Sequence, residues 1–201
     1  MYKQYQLGWI EVITGCMFAG KTEELIKRIR VLEYAKQKIF VFKPSLDNRY
    51  RKDEIASHAG NHYQCYVLQN DLSPIIEVID NPNVDVVVID EVQFFNEEIV
   101  EICERLANAK KRVIVAGLDT DFRGEPFSVV ASLMAKAEFV TKLSAVCNCC
   151  GAPATRTQRL INGKPACYDD PIILVGAKEC YEARCRSCHS VLQKKEKTSV
   201  R

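Results

Sequence analysis

Gly15 to Thr22 reads Gly-Cys-Met-Phe-Ala-Gly-Lys-Thr and satisfies the pattern G-x-x-x-x-G-K-[ST] at every fixed position. Each of those positions has a physical task in holding phosphate. The glycines let backbone N–H groups approach an anion with no Cβ in the way, the Lys21 ammonium can sit between the outer phosphates, and the Thr22 hydroxyl can ligate Mg²⁺. Gly15, Met17, Phe18, Ala19, Gly20, Lys21 and Thr22 are therefore the candidate phosphate-binding residues. The flanks supply the context that the pattern needs. Trp9 to Thr14 (WIEVIT) is a short β-branched run that predicts a strand, and Leu25, Ile29 and Leu32 recur at helical spacing after Glu23. Strand, glycine turn and helix in that order aim the positive end of a helix and its free N–H groups at a bound anion.

Outward from this turn, strand and helix patterns alternate. Lys38 to Lys43 (KIFVFK) predicts a second strand ended by Pro44, and Gln64 to Leu68 another. Between them lies a long polar stretch, Lys43 to His62, of the kind that is usually functional or disordered in a compact domain; it contains Asp47, Arg49 and His58. Ser73-Pro74 predicts a helix start with Ser73 as N-cap. Val84 to Ile89 (VDVVVI) is a nearly unbroken apolar run, as expected of a strand buried on both faces of a parallel sheet, and it runs into Asp90-Glu91. Asn96 predicts a cap for a helix with Ile99, Ile102 and Leu106 on one face. Arg112 to Ala116 predicts the next strand, Pro126 opens a helix holding Val129, Val130, Leu133 and Met134, and Glu138 to Leu143 closes the sheet. This alternation predicts an α/β parallel sheet with right-handed crossovers over residues 1–143. From Ser144 helical periodicity disappears and cysteines dominate, which predicts a second, small lobe over 144–190 and a basic flexible tail over 191–201. Asn162-Gly163 predicts a hairpin turn after Thr155 to Ile161.

Bulk properties bound the function. Hydrophobic residues make up 47% and charged residues 27%, the balance of a soluble globular chain, and no run approaches the length of a membrane span. The polar start, Met1 to Gly8, lacks a signal-peptide core, so a cytoplasmic protein is expected. Net charge is +2, and the last nine residues alone carry +3, which leaves the body without the basic face that nucleic acid requires. Ten cysteines in a chain with an adequate core point to reduced thiols or metal ligation rather than disulfides.

Asp90 follows the apolar strand directly, where nucleotide-binding sheets hold a carboxylate near Mg²⁺; a strand-end cap is its plainer role. Glu91, one residue on, projects differently and is the candidate proton acceptor for a hydroxyl attacking the γ-phosphate, although a glutamate here can equally activate water in an ATPase. Cys147-x-x-Cys150 and Cys185-x-x-Cys188 have metal-knuckle spacing, and four thiolates suit a closed, structural Zn²⁺ site. Cys149 and His189 sit beside these ligands as rivals. Cys16, Cys65, Cys103, Cys167 and Cys180 are scattered and read as small apolar fillers.

An ordered set of motifs then carries a resemblance that covers residues 8 to 190. Met17-Phe18-Ala19-Gly20-Lys21-Thr22, Asp47-x-Arg49-Tyr50, Asp90-Glu91-x-Gln93-Phe94-Phe95, Asp121 to Phe127 (DFRGEPF), Thr157-Gln158-Arg159-Leu160 and Tyr181-x-x-x-Cys185-Arg186-x-Cys188-His189 together resemble the zinc-containing (type II) thymidine kinase family. That resemblance implies a P-loop NTPase (RecA-like) sheet with a C-terminal zinc lobe. It also implies phosphorylation of the thymidine 5′-hydroxyl by ATP with Mg²⁺, feedback inhibition by dTTP, and a homotetramer. It makes Glu91 the base and places Asp47 and Arg49 at the phosphates. Met17, Phe94, Leu118, Phe122 and Phe127 would wall the thymine pocket, with Thr157, Ile172, Gly176 and Tyr181 on a loop that closes over the nucleoside. Among relatives the fourth metal ligand is Cys or His, and Cys188 rather than His189 keeps the C-x-x-C spacing. The rival readings are a nucleic-acid-dependent motor, suggested by Asp90-Glu91-Val92-Gln93, and a regulatory nucleotide switch. A motor would usually need a second such domain and a basic face.

Overall fold

The β-branched runs become the strands of one sheet. In the computed structural model, which describes residues 7–45, 54–56, 60–69, 71–172 and 179–193, the chain begins β1 (Trp9–Thr14), α1 (Lys21–Tyr34), β2 (Ile39–Pro44), β3 (Glu54–Ala56), β4 (His62–Gln64), β5 (Tyr66–Leu68) and α2 (Ser73–Ile79). It continues with β6 (Val86–Ile89), a 3₁₀ turn (Val92–Phe94), α3 (Glu98–Asn108), β7 (Arg112–Gly117), α4 (Ser128–Lys136) and β8 (Phe139–Lys142). The last part holds β9 (Ala145–Val146), β10 (Pro153–Ala154), β11 (Arg156–Ile161), β12 (Lys164–Pro165) and β13 (Glu179–Arg184).

Six strands pair in the order β5-β2-β6-β7-β1-β8, every pair parallel. The period-2 alternation of the strands divides the core between the two faces. Ile10, Val12, Val87, Ile89, Val113 and Val115 pack under α2, α3 and α4, while Ile13, Val86, Val88, Ile114 and Ala116 pack under α1 through Leu25, Ile26 and Ile29. Burying each such side chain contributes about 1.5–3 kcal/mol, so both faces must be covered for the sheet to persist. Only β7 separates β1 from β6, which places their carboxyl ends about 10 Å apart at the usual strand spacing. That spacing brings the Gly15 turn beside Asp90.

α1 and α3 stop in the same way. Gln37 N–H donates to Leu32 O and Lys36 N–H to Glu33 O, and Lys111 and Lys110 repeat the pattern on Leu106 and Ala107. This is the Schellman stop, with lysines in the left-handed conformation (φ 57° and 68°) where glycine is usual.

Several sequence expectations change in detail. The expected strand Gln64 to Leu68 is two strands: β4 pairs with β3 in a small antiparallel hairpin, and β5 joins the edge of the main sheet. The polar stretch after β2 thus contains a strand, Glu54–Ala56, anchored by the fully buried Ile55. Ser73 is the first residue of α2 rather than its cap, and Asp71 accepts its N–H at 2.9 Å. Pro126 lies before α4, bridged to Thr120. Asn96 does accept the Glu98 N–H at 3.1 Å, and Asn162 (φ 51°) with Gly163 (φ 75°) forms the β11–β12 turn.

Beyond β8 the chain forms small antiparallel sheets, β9 with β10 and β12-β11-β13, with no helix among the described residues. Leu192, within the segment expected to be a flexible tail, donates its N–H to Ala166 O and accepts from Tyr168 N.

Candidate active site and cysteine cluster

The phosphate-binding turn is shaped by steric demand. Gly15 has φ 145°, and a Cβ there would lie 2.5 Å from the Leu143 carbonyl oxygen, so only glycine fits. Phe18 and Gly20 adopt left-handed conformations, φ 66° and 81°. Lys21 Nζ donates to the Cys16 carbonyl at 2.9 Å, across its own loop. Thr22 Oγ1 donates to Asp90 Oδ2 at 3.2 Å, joining the first turn of α1 to the end of β6. Asp90 is buried, and its Oδ1 accepts the Glu91 N–H at 2.9 Å.

Glu91 is also buried and has φ 49°, ψ 41°, a left-handed conformation that a non-glycine residue adopts at a cost. Its Oε2 accepts Gln93 Nε2–H at 2.5 Å, and Gln93 Oε1 accepts the Leu118 N–H at 3.1 Å. Sequence reasoning missed Gln93 as a site residue. Its one signal was a glutamine two positions beyond an acidic pair at a strand end.

The residues expected to wall the thymine pocket come from three loops, after β1, β6 and β7. Met17, Phe94, Leu118 and Phe127 are half-buried, and Phe127 also packs against the core beneath α4. Phe122 is buried, with the Arg159 guanidinium 5.2 Å and that of Arg123 5.9 Å from its ring centroid. Asp121 folds this loop by accepting the N–H groups of Arg123 and Glu125 and pairing with the Arg123 side chain at 2.6 Å. Thr157 lies on β11, and its Oγ1 accepts the Met17 N–H at 3.0 Å, so it touches the phosphate-binding turn itself. Ile172 is exposed and Tyr181 half-buried on β13. Asp47, Arg49, His58 and Gly176 lie outside the described residues.

The sulfurs of Cys147, Cys150, Cys185 and Cys188 all lie within 4.8 Å of one another, and those of Cys150 and Cys185 are 3.6 Å apart. A tetrahedral zinc with Zn–S bonds of about 2.3 Å spaces its sulfurs about 3.8 Å apart, so this donor set fits. Burial pushes the Cys147 thiol up, but the N–H groups of Cys185, Cys149 and Cys150 prevail and bring it down to about 6. Cys185 and Cys150 in turn push Cys188 up, because clustered thiols cannot all ionise without a counter-charge. His189 stands apart from the cluster: its Nε2–H donates to the Phe122 carbonyl at 2.8 Å. Cys16 and Cys103 are fully buried fillers, and Cys16 packs against Cys147, Ala154 and Ala183 while its thiol donates to Ala154 O at 3.3 Å. The phosphate-binding turn and the cysteine lobe are therefore in direct contact.

A parallel sheet carrying a glycine turn, a hydroxyl on the first helical turn and a buried carboxylate on the strand two places away defines a P-loop nucleotide-binding protein. The family model for thymidine kinase matches residues 8–189, nearly the whole chain, and the chain belongs to that family. It is thus an enzyme that phosphorylates thymidine.

Proposed function

We propose that the chain transfers the γ-phosphoryl group of ATP to the 5′-hydroxyl of thymidine, giving dTMP and ADP. The observation that carries this reading is the junction of Thr22 with Asp90 beside Glu91, at the carboxyl edge of the sheet. The phosphates lie on the N–H groups of Gly15 to Thr22, with Lys21 turned from the Cys16 carbonyl onto them. Thr22 and Asp90 hold Mg²⁺, directly or through water, and that ion supplies charge neutralisation between the phosphates. The Glu91 carboxylate takes the proton of the 5′-hydroxyl as its oxygen bonds to the γ-phosphorus and the bond to the ADP oxygen breaks.

In the same reading Met17, Phe94, Leu118, Phe122 and Phe127 enclose the thymine, and Thr157, Ile172, Gly176 and Tyr181 belong to the segment that closes over the nucleoside. Asp47 and Arg49 face the phosphates. Cys147, Cys150, Cys185 and Cys188 hold one structural Zn²⁺ that clamps both ends of residues 151–184. Residues 1–143 form the ATP-binding domain, 144–190 the zinc lobe and 191–201 a basic tail. The enzyme works as a homotetramer in the cytoplasm and is inhibited by dTTP; no helix among the described residues is long and apolar enough to cross a membrane.

The test is transfer of γ-labelled phosphate from ATP across a panel of nucleosides, repeated with dTTP present. Label should appear in dTMP, should require added thymidine, and should fall as dTTP is raised. ATP hydrolysis stimulated by polynucleotide, with no labelled nucleoside, would overturn the reading.

A further inference from the structure

Gln93 is 6% exposed and spans two loops with both ends of its amide engaged. Its Nε2–H donates to Glu91 Oε2 at 2.5 Å, and its Oε1 accepts the Leu118 N–H at 3.1 Å. The space it occupies is kept open by Gly117, where a Cβ would lie 2.7 Å from Gln93 Oε1 and 2.9 Å from Val92 Cγ1. The 3₁₀ turn Val92–Phe94 carries Gln93 back towards Glu91, whose own backbone is in the left-handed conformation. A glutamate side chain has three rotatable bonds, and its backbone conformation alone leaves more than one rotamer open. The bond to Gln93 does select one. Gln93 is itself fixed by a backbone amide at the end of β7, a strand paired on both sides.

The geometry points to Gln93 as the positioning residue for the Glu91 carboxylate, fixing it relative to the end of β7 and the loop carrying Leu118. This inference rests on the reading of Glu91 as the base. It assigns Gln93 no contact with substrate. The amide suits the task because one end donates to a carboxylate while the other accepts from an N–H. A misplacement of about 1 Å at a reacting group can cost about 100-fold in rate, so loss of the clamp should appear in kcat rather than in binding.

The test is a double-mutant cycle on the full-length, zinc-replete enzyme, reading kcat together with the dissociation constants of ATP and thymidine. Gln93→Met keeps the volume and removes both hydrogen bonds. In the wild-type background it should lower kcat about 10- to 100-fold while both dissociation constants change less than about threefold. In a Glu91→Gln background the same change should lower kcat by less than about twofold, because the carboxylate it positions is gone. Gln93→Asn, too short to reach both partners, should repeat the pattern if the methionine variant folds poorly. An equal loss in both backgrounds, or no loss in the wild type, overturns the positioning role and leaves Glu91 as base. Near-normal turnover of Glu91→Gln alone overturns the base assignment, and this inference with it.

Discussion

Thr22 and Asp90 meet at 3.2 Å, although 68 positions separate them in sequence. A hydroxyl and a carboxylate that share a metal have to lie this close, and removing either removes one charge-assisted contact. Such contacts are worth about 1.5–3 kcal/mol. Thr22→Ala should therefore raise the Mg²⁺ concentration needed for half-maximal turnover by about tenfold or more, measured by Mg²⁺ titration at saturating ATP; an unchanged requirement would remove Thr22 from the metal. Gly15 makes a sterically sharper prediction. Its φ is 145°, and a methyl group added there would meet the Leu143 carbonyl oxygen at 2.5 Å. Gly15→Ala should therefore cost about 1–3 kcal/mol and weaken ATP binding, read by thermal unfolding and by titration of the nucleotide. These proposed roles could be read from the sequence because the motif fixes chemistry and spacing together. Gln93 and Asp121 stand in motifs that carry the resemblance, but what they do was not legible, since it lies in which backbone amides they reach, and no local pattern encodes that.

β1 also carries a buried charge, Glu11, whose partners come from three elements, β1 itself, α1 and β7. Glu11 accepts from Trp9 Nε1 at 2.7 Å and Arg112 Nε at 2.6 Å, and pairs with Arg28 at 2.8 Å, while Arg28 also reaches Thr141. Burial pushes the Glu11 carboxyl up, but the Arg112 and Trp9 hydrogen bonds and the two guanidinium charges prevail and hold it below its ordinary 4.5. A carboxylate depressed in the folded state stabilises the fold above its unfolded pKa, and that contribution is lost as pH falls through the folded value. Glu11→Gln should therefore cost about 1–3 kcal/mol at pH 7, with the gap to wild type shrinking as the pH falls below about 4.5, in urea unfolding across that range. A gap independent of pH would assign the cost to packing. The periodicity of β1 was plain in the sequence, but Glu11 interrupts an apolar strand, and only the tertiary arrangement shows Arg28 and Arg112 meeting it. Element ends were similarly hidden. Gln64 to Leu68 read as one strand, yet Cys65 divides it between two sheets, because pairing partners rather than propensity decide where a strand ends.

Across the whole molecule the cysteine lobe is joined to the phosphate-binding turn by Cys16 against Ala154 and Met17 against Thr157, and to the Phe122 loop through His189. The two C-x-x-C pairs were legible from spacing alone, but their seating on Cys16 was not, because a lone cysteine in a glycine turn reads equally as a filler. Disturbing the cluster should therefore be felt at both substrates. Cys185→Ser should lose stoichiometric zinc and weaken thymidine binding or folding, whereas Cys149→Ser and Cys180→Ser should keep the metal, as read by metal analysis and thymidine titration. The proposed chemistry stands on Glu91 being the group that accepts the proton of the attacking hydroxyl, and one variant addresses this most directly. Glu91→Gln, assayed for phosphate transfer from ATP to thymidine with both substrates shown to bind, should lose about 10²- to 10⁴-fold in kcat while its dissociation constants stay near wild type. A folded variant that turns over at near the wild-type rate would contradict that role.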